Sequence, residues 1–270
     1  MRHQLANQPL GSEDRSPSRR APLDALRGLA VLWMTAYHFC FDLNYFGWIH
    51  QNFNGSLLWT AQRTCILSLF LACAGAGQAL GALGGQSWGR FFRRWWQIAF
   101  CALLVSVGSA QMFPTSWIYF GVLHGMALML LICRMSRKAG ALIWILGLLF
   151  ILLGWNSATI QLHLMQIWPA LYALNTTAWN WLGLVSFKPF TEDYVPLLPW
   201  LGVMLWGMAA AFWLENRRQR LPIGHREVGH SMLQKSLAFV GRWSLTWYMV
   251  HQLVLIGLFT LLSDWLHQAF

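Results

Sequence analysis

Seven apolar runs, near residues 23–46, 56–82, 95–111, 117–133, 140–155, 196–214 and 237–262, take up most of this 270-residue chain. Each approaches the length a helix needs to cross a hydrocarbon core of about 30 Å. Hydrophobic residues make up 57% of the sequence and charged residues 10%, which excludes an ordinary water-soluble domain. The expected fold is therefore all-α: a polytopic membrane helix bundle of about seven transmembrane helices. A single transmembrane domain over 22–270 would follow a basic, disordered cytoplasmic tail over 1–21. That tail lacks an apolar core, so the first span itself is expected to direct insertion.

The net charge of +10 raises the question of a nucleic-acid partner. The positions of the basic residues answer it. Arg2, Arg15, Arg19 and Arg20 precede the first run; Arg90, Arg93 and Arg94 fall in the second connection; Arg134, Arg137 and Lys138 fall in the fourth. Arg217, Arg218, Arg220, Arg226 and Lys235 fill the sixth, whereas the other connections hold only Lys188. Such alternation is the positive-inside pattern, which predicts a cytoplasmic N-terminus, an external C-terminus and no nucleic-acid binding. The apolar stretch at about 166–187 would reverse this parity as an eighth crossing. Pro169, Asn175 and Asn180 also interrupt it, and it carries Trp168, Trp179 and Trp181. An external interfacial or re-entrant segment is expected there.

The cysteines, Cys40, Cys65, Cys73, Cys101 and Cys133, all lie within apolar runs without CxxC spacing. Neither disulfides nor a metal site is expected. No phosphate-binding loop, dinucleotide fingerprint or nucleophile elbow is present. The run Cys73-Ala-Gly-Ala-Gly-Gln predicts close helix packing, because small residues let membrane helices approach.

Ionisable residues inside the spans carry the functional signal. A charge at the centre of an apolar span costs roughly 2.5–3.5 kcal/mol on insertion scales, so such a residue is a site candidate by default. The first span holds Arg27, His38 and Asp42. Positions 38 and 42 share a helix face, where a carboxylate could orient an imidazole acting as general base. Arg63 in the second span needs a partner, and Asp42 lies at similar depth. His124 and His251 fall in the outer half and middle of later spans, and His50 follows the first span in an uncharged stretch. At the cytoplasmic side Arg93 and Arg94, with Arg27, suit the phosphates of a nucleotide-like donor, because guanidinium forks bind phosphate bidentately.

These residues also carry a resemblance. Pro22-Leu-Asp-Ala-Leu-Arg-Gly-Leu-Ala, followed by His38, Asp42 and Tyr45-Phe-Gly, resembles the opening of bacterial proteins grouped with the catalytic domain of heparan-α-glucosaminide N-acetyltransferase. The likeness continues through Ile118-Tyr-Phe-Gly-Val-Leu-His124-Gly, Pro196-Leu-Leu-Pro-Trp-Leu-Gly and Gly241-Arg-Trp-Ser to His251-Gln. It implies membership of the wider membrane acyltransferases and a transmembrane transfer from acetyl-CoA. The family's catalytic histidine lies in the outer stretch after the first span, ahead of an aromatic-Asn-Gly. His50-Gln-Asn-Phe-Asn54-Gly is similar to that stretch. Because His38 also matches the span-one histidine of the wider acyltransferases, the base is His38 or His50.

The resulting expectation is acetyl transfer at a bacterial inner membrane. The donor is cytoplasmic acetyl-CoA, and the acceptor an amine or hydroxyl of an extracytoplasmic sugar or glycan. His38, His50 and Asp42 are the catalytic candidates. Arg63, His124, Asn54 and His251 are candidates for the acceptor side, and Arg27, Arg93 and Arg94 for the donor. A covalent acetyl-histidine would be a variant of the same reading. The lipid bilayer is a partner, and a homodimer is compatible with the sequence. A proton-coupled transporter or channel, or a non-catalytic partner of an envelope polysaccharide complex, are the alternative functions.

Overall fold

The computed structural model describes residues 21–220 and 231–269, with side chains through Leu266. The expected disordered tail up to residue 20 and the part of the sixth connection carrying Arg226 lie outside those residues. The described residues form nine α-helices and two short 3-10 turns, and one parallel bridge joins the extended backbones of Phe120 and Tyr194. Helices are what an apolar solvent demands, since they satisfy every backbone donor and acceptor within one segment.

The helices are α1 (Ala21–Tyr45), α2 (Leu57–Leu83), α3 (Trp88–Met112), α4 (Val122–Ser136), α5 (Leu142–Trp155), α6 (Ser157–Ile167), α7 (Leu197–Arg220), α8 (Met232–Arg242) and α9 (Ser244–Ala269). Four of them, α2, α3, α7 and the Ser244–Leu266 part of α9, are long and apolar enough to cross a membrane. The α5–α6 pair makes a fifth if its 72° bend is taken as a break within one span. By length and apolarity alone, four or five of the described helices qualify as crossings, fewer than the seven expected from the apolar runs. The shortfall lies in α4, which has only 15 residues, and in α1, whose 25 residues include Asp24, Arg27 and Asp42.

Three boundaries differ from the sequence reading for local reasons. The run expected from 117 begins as a helix only at Val122, after an irregular stretch opened by Pro114. The run expected to end at 155 turns at Asn156 and continues as α6. The run expected over 237–262 is two helices, broken at Trp243, whose N–H closes back onto the carbonyls of Gly241 and Val240. By contrast, 166–187 begins with the end of α6 and then holds only the 3-10 turns Pro169–Asn175 and Asn180–Leu182, with Trp168, Tyr172 and Trp179 exposed.

Small residues set the helix pairing. A Cβ on Gly75 of α2 would strike the carbonyl oxygen of Met204 on α7, as the Cys73–Gln78 run predicted. One on Gly28 of α1 would strike Leu237 of α8, and one on Gly241 would strike Asp24. Around the α2–α7 crossing lie fully buried Leu71, Met129, Ile143, Met204, Leu205 and Met208. A second cluster joins α1 to α2: Met34, Tyr37, Phe53 and Ile66, with Tyr248 of α9 packed against it.

Candidate active site

A cavity of about 630 Å³ opens between α1, α2, α3, α4 and the α8–α9 junction. Arg27, Arg90, Arg93, Arg94 and Arg242 line one part of it, and Val122 and Tyr248 another. Asp24 tethers two of these cations, accepting from Nη1 of Arg27 at 3.1 Å and lying 3.9 Å from Nε of Arg242. Arg27 also donates from Nη2 to the carbonyl of Cys73 at 3.5 Å, beside Gly77, whose missing side chain makes room for the guanidinium. Behind this wall Arg134 is 2% exposed, donates to the carbonyl of Gln86, and lies 5.0 Å and 5.4 Å from the ring centroids of Trp88 and Phe91. Five arginines line the cavity and Asp24 is the one carboxylate among its lining residues, an excess of positive charge that suits an anion. Its volume falls in the ordinary range for small-molecule pockets.

At the α4 N-terminus, two connections are laced together. Ser116 donates to Glu192 at 2.5 Å, Thr191 to the carbonyl of Trp117 at 2.8 Å, and Val195 N–H to the carbonyl of Phe120 at 3.1 Å. Tyr119 accepts from Asn180 at 2.7 Å and Tyr194 donates to the Asn180 carbonyl at 2.6 Å. This lacing holds Asp193 at the helix start, where its Oδ2 accepts from Val122 N–H at 2.7 Å. The position favours a carboxylate, as helix N-termini do. Burial nonetheless pushes the Asp193 carboxyl above the usual carboxylate range, opposed by the Val122 N–H and by the charges of Lys188 and Arg63. Asp193 therefore connects the cavity wall at Val122 to a pair of exposed cations.

Between α1 and α9 a polar seam crosses the apolar packing. Nε1 of Trp247 donates to Thr35 at 2.9 Å, which fixes the relative height of the two helices. One turn further, the rings of His38 and His251 are 5.1 Å apart between centroids at an angle of 64°. Nδ1 of His251 faces the carbonyls of Trp247 and Tyr248 at 3.2 and 2.8 Å, so that nitrogen carries the hydrogen and Nε2 is left as the acceptor. Beyond them Gln252 donates to both oxygens of Asp42, at 2.9 and 3.2 Å.

The sequence-derived candidates are thus partly gathered and partly dispersed. Arg27, Arg93 and Arg94 share one cavity. His38 and His251 meet, but Asp42 does not orient His38: its carboxylate is taken up by Gln252. Nor does Asp42 pair with Arg63, which is exposed and whose charge acts on Tyr37, Lys188 and Asp193. His124 is committed to structure, with Nε2 3.0 Å from Ser106 and Nδ1 accepting from Gly121 N–H at 3.4 Å. Both of its ring nitrogens are thus engaged within the fold. His50 and Asn54 are exposed in the α1–α2 connection, and Nδ1 of His50 lies 3.0 Å from its neighbour's carbonyl at Ile49. That connection is held down by Phe53, stacked on Trp59 at 4.2 Å and edge-on to Tyr37 at 5.7 Å.

The sequence reading missed Asp193, Tyr248 and Gln252. For Asp193 a signal existed: only nine acidic residues occur, and two of them adjoin at 192–193 in a connection otherwise poor in charge. Tyr248 and Gln252 flank His251 on the same helix and become visible only when α9 is set against α1.

Apolar helices long enough to cross a bilayer, packed around an arginine-lined cavity, define an integral membrane protein. Which such protein this is follows from comparison. The profile described as heparan-alpha-glucosaminide N-acetyltransferase, catalytic, matches residues 19–253, and the chain belongs to that family of membrane acetyltransferases. No curated protein and no solved structure matches the chain.

Proposed function

We propose that this chain transfers acetyl from cytoplasmic acetyl-CoA to an amine or hydroxyl of an extracytoplasmic sugar or glycan at a bacterial inner membrane. In this reading it crosses the bilayer about seven times with its N-terminus inside, an orientation resting on the alternation of basic connections. The observation that carries the reading is the cavity. Arg27, Arg93 and Arg94, drawn from two helices, line it together with Arg242, and Val122 and Tyr248 complete its wall. Guanidinium groups hold the phosphates of the donor bidentately, which leaves the thioester end to extend toward Tyr248.

The acceptor enters beside Arg63 and Lys188, where Asp193 holds the α4 N-terminus. Its nitrogen or oxygen attacks the thioester carbonyl, a histidine takes its proton, and the carbon–sulfur bond breaks. His38 is assigned as that base because its ring meets that of His251, which lies one turn from the cavity-lining Tyr248 on α9. His50 is the exposed histidine of the acceptor mouth. The test is acetyl transfer from labelled acetyl-CoA inside proteoliposomes to external glycan acceptors. His38→Ala should abolish transfer and His50→Ala should retain it; the reverse result assigns the base to His50, and full activity in both rejects a histidine base.

A further inference from the structure

Four titratable rings run from the cavity wall to the packed cluster that faces Arg63. Tyr248, which lines the cavity, is 6.0 Å from His251 between ring centroids; His251 is 5.1 Å from His38; His38 is 5.9 Å from Tyr37. Among the described residues, Nδ1 of His38 and Nε2 of His251 are buried and have no hydrogen-bond partner, and Oε1 of Gln252 beside them is in the same state. Native interiors seldom leave such atoms unmatched, and three in one seam mark a place kept for a proton or the water that carries it. Packing alone would be served as well by apolar rings.

The neighbours of the pair are few. From α1 it is faced by Tyr37 and Asp42, the latter held by Gln252; from α9 by Tyr248. The charge of Arg63 on α2 acts on Tyr37, and that of Asp193 acts on Tyr248. Two imidazolium rings this close repel in a buried seam, so the pair carries one proton at a time.

We propose that His38 and His251 form a one-proton relay that returns the acceptor's proton to the sulfur of the departing donor. The inference rests on the acetyl-transfer reading. As the acceptor nitrogen or oxygen bonds to the acetyl carbon, its proton moves to the pair. As the carbon–sulfur bond breaks, the pair passes that proton to the thiolate, and the products are acetylated acceptor and free CoA thiol. No other reactant is needed. His251 enters through Nε2, its Nδ1–H being pinned by the carbonyls of Trp247 and Tyr248.

The experiment compares His251→Asn and His251→Gln in proteoliposomes carrying the full chain, with acetyl-CoA binding measured alongside. Asn can keep the donor to the helix carbonyls and loses the Nε2 lone pair. Both variants should lose about 100-fold in kcat with the KM for acetyl-CoA unchanged, within the range of one proton-transfer group. His38→Gln combined with His251→Asn should be no slower than the worse single variant, as for residues acting as a unit. Recovery of kcat in His251→Asn would reduce His251 to a helix anchor and overturn the relay. So would losses that multiply in the double variant. A variant that no longer binds acetyl-CoA has lost its fold, and the decision then rests on His38→Gln with and without added imidazole: rescue supports the relay and its absence overturns it. Wild-type vesicles that transfer no acetyl defeat the acetyltransferase reading itself, whereas intact transfer in both His251 variants defeats only the relay.

Discussion

Gln252 of α9 donates to both carboxylate oxygens of Asp42 on α1, at 2.9 and 3.2 Å, and so ties the last turns of the first helix to the helix that closes the bundle. Asp42 is 3% exposed, and this bond rather than the histidine four residues earlier is what it serves. Asp42→Ala leaves the Gln252 amide buried without its acceptor, a loss of about 1–3 kcal/mol. Thermal unfolding in detergent should show it, with Asp42→Asn milder because the new amide can still accept. If Asp42→Asn retains full stability but is inactive, the carboxylate acts in catalysis instead.

The arginine cavity makes a kinetic prediction. Arg93→Ala, Arg94→Ala and Arg27→Ala should each raise the KM for acetyl-CoA about ten- to a hundredfold, the scale of one charge-assisted contact. The change in kcat should be small. Lysine at these positions should recover only part of the loss, because an ammonium cannot match the planar fork. Initial rates over a range of acetyl-CoA concentrations separate the two parameters.

Close approach of helix backbones makes a stability prediction. Gly75→Ala drives a Cβ into the Met204 carbonyl, and Gly28→Ala drives one into Leu237, where backbone cannot yield as a flexible side chain would. Each should cost about 1–3 kcal/mol and lower the yield of monodisperse protein. Gly108→Ala, on α3 with nothing near the added carbon, should instead be neutral or stabilise by about 0.5–1 kcal/mol. Melting curves of detergent-solubilised variants decide between them.

Asp193 makes the pH prediction. Burial raises its carboxyl above the usual range, so the folded chain binds that proton more readily than the unfolded chain does. Stability linked to this group therefore grows as pH falls from neutrality toward the ordinary carboxylate value of about 4. Asp193→Asn keeps an acceptor for Val122 N–H and removes the titration. The wild-type melting temperature should gain on that of the variant between about pH 7 and about pH 5, and a constant difference across this window would overturn the assignment.

The sequence alone determined that the chain is a bundle of apolar helices, because hydropathy over twenty residues reports the solvent each segment must meet. It also grouped Arg27, Arg93 and Arg94, which line one cavity, since basic residues gather on one face of a membrane whatever the packing inside. The crowding of small residues at 73–78 likewise foretold a close helix contact, and the structure supplies its partner, α7. Hydropathy could not say which side of each helix faces protein, because lipid and the bundle interior are equally apolar. Spacing along α1 therefore paired His38 with Asp42, whereas rotation and height against α9 paired His38 with His251 and Asp42 with Gln252. The sequence reading ended a run at 155 but did not foresee that the chain continues past Asn156 as a second helix, nor that Trp243 breaks the last run in two, because those turns follow from backbone closure rather than from hydropathy. Asp193 was assembled by tertiary structure in the strictest sense. Its chemistry depends on the start of α4, which lies 71 residues earlier in the chain and meets it only through the folded connections.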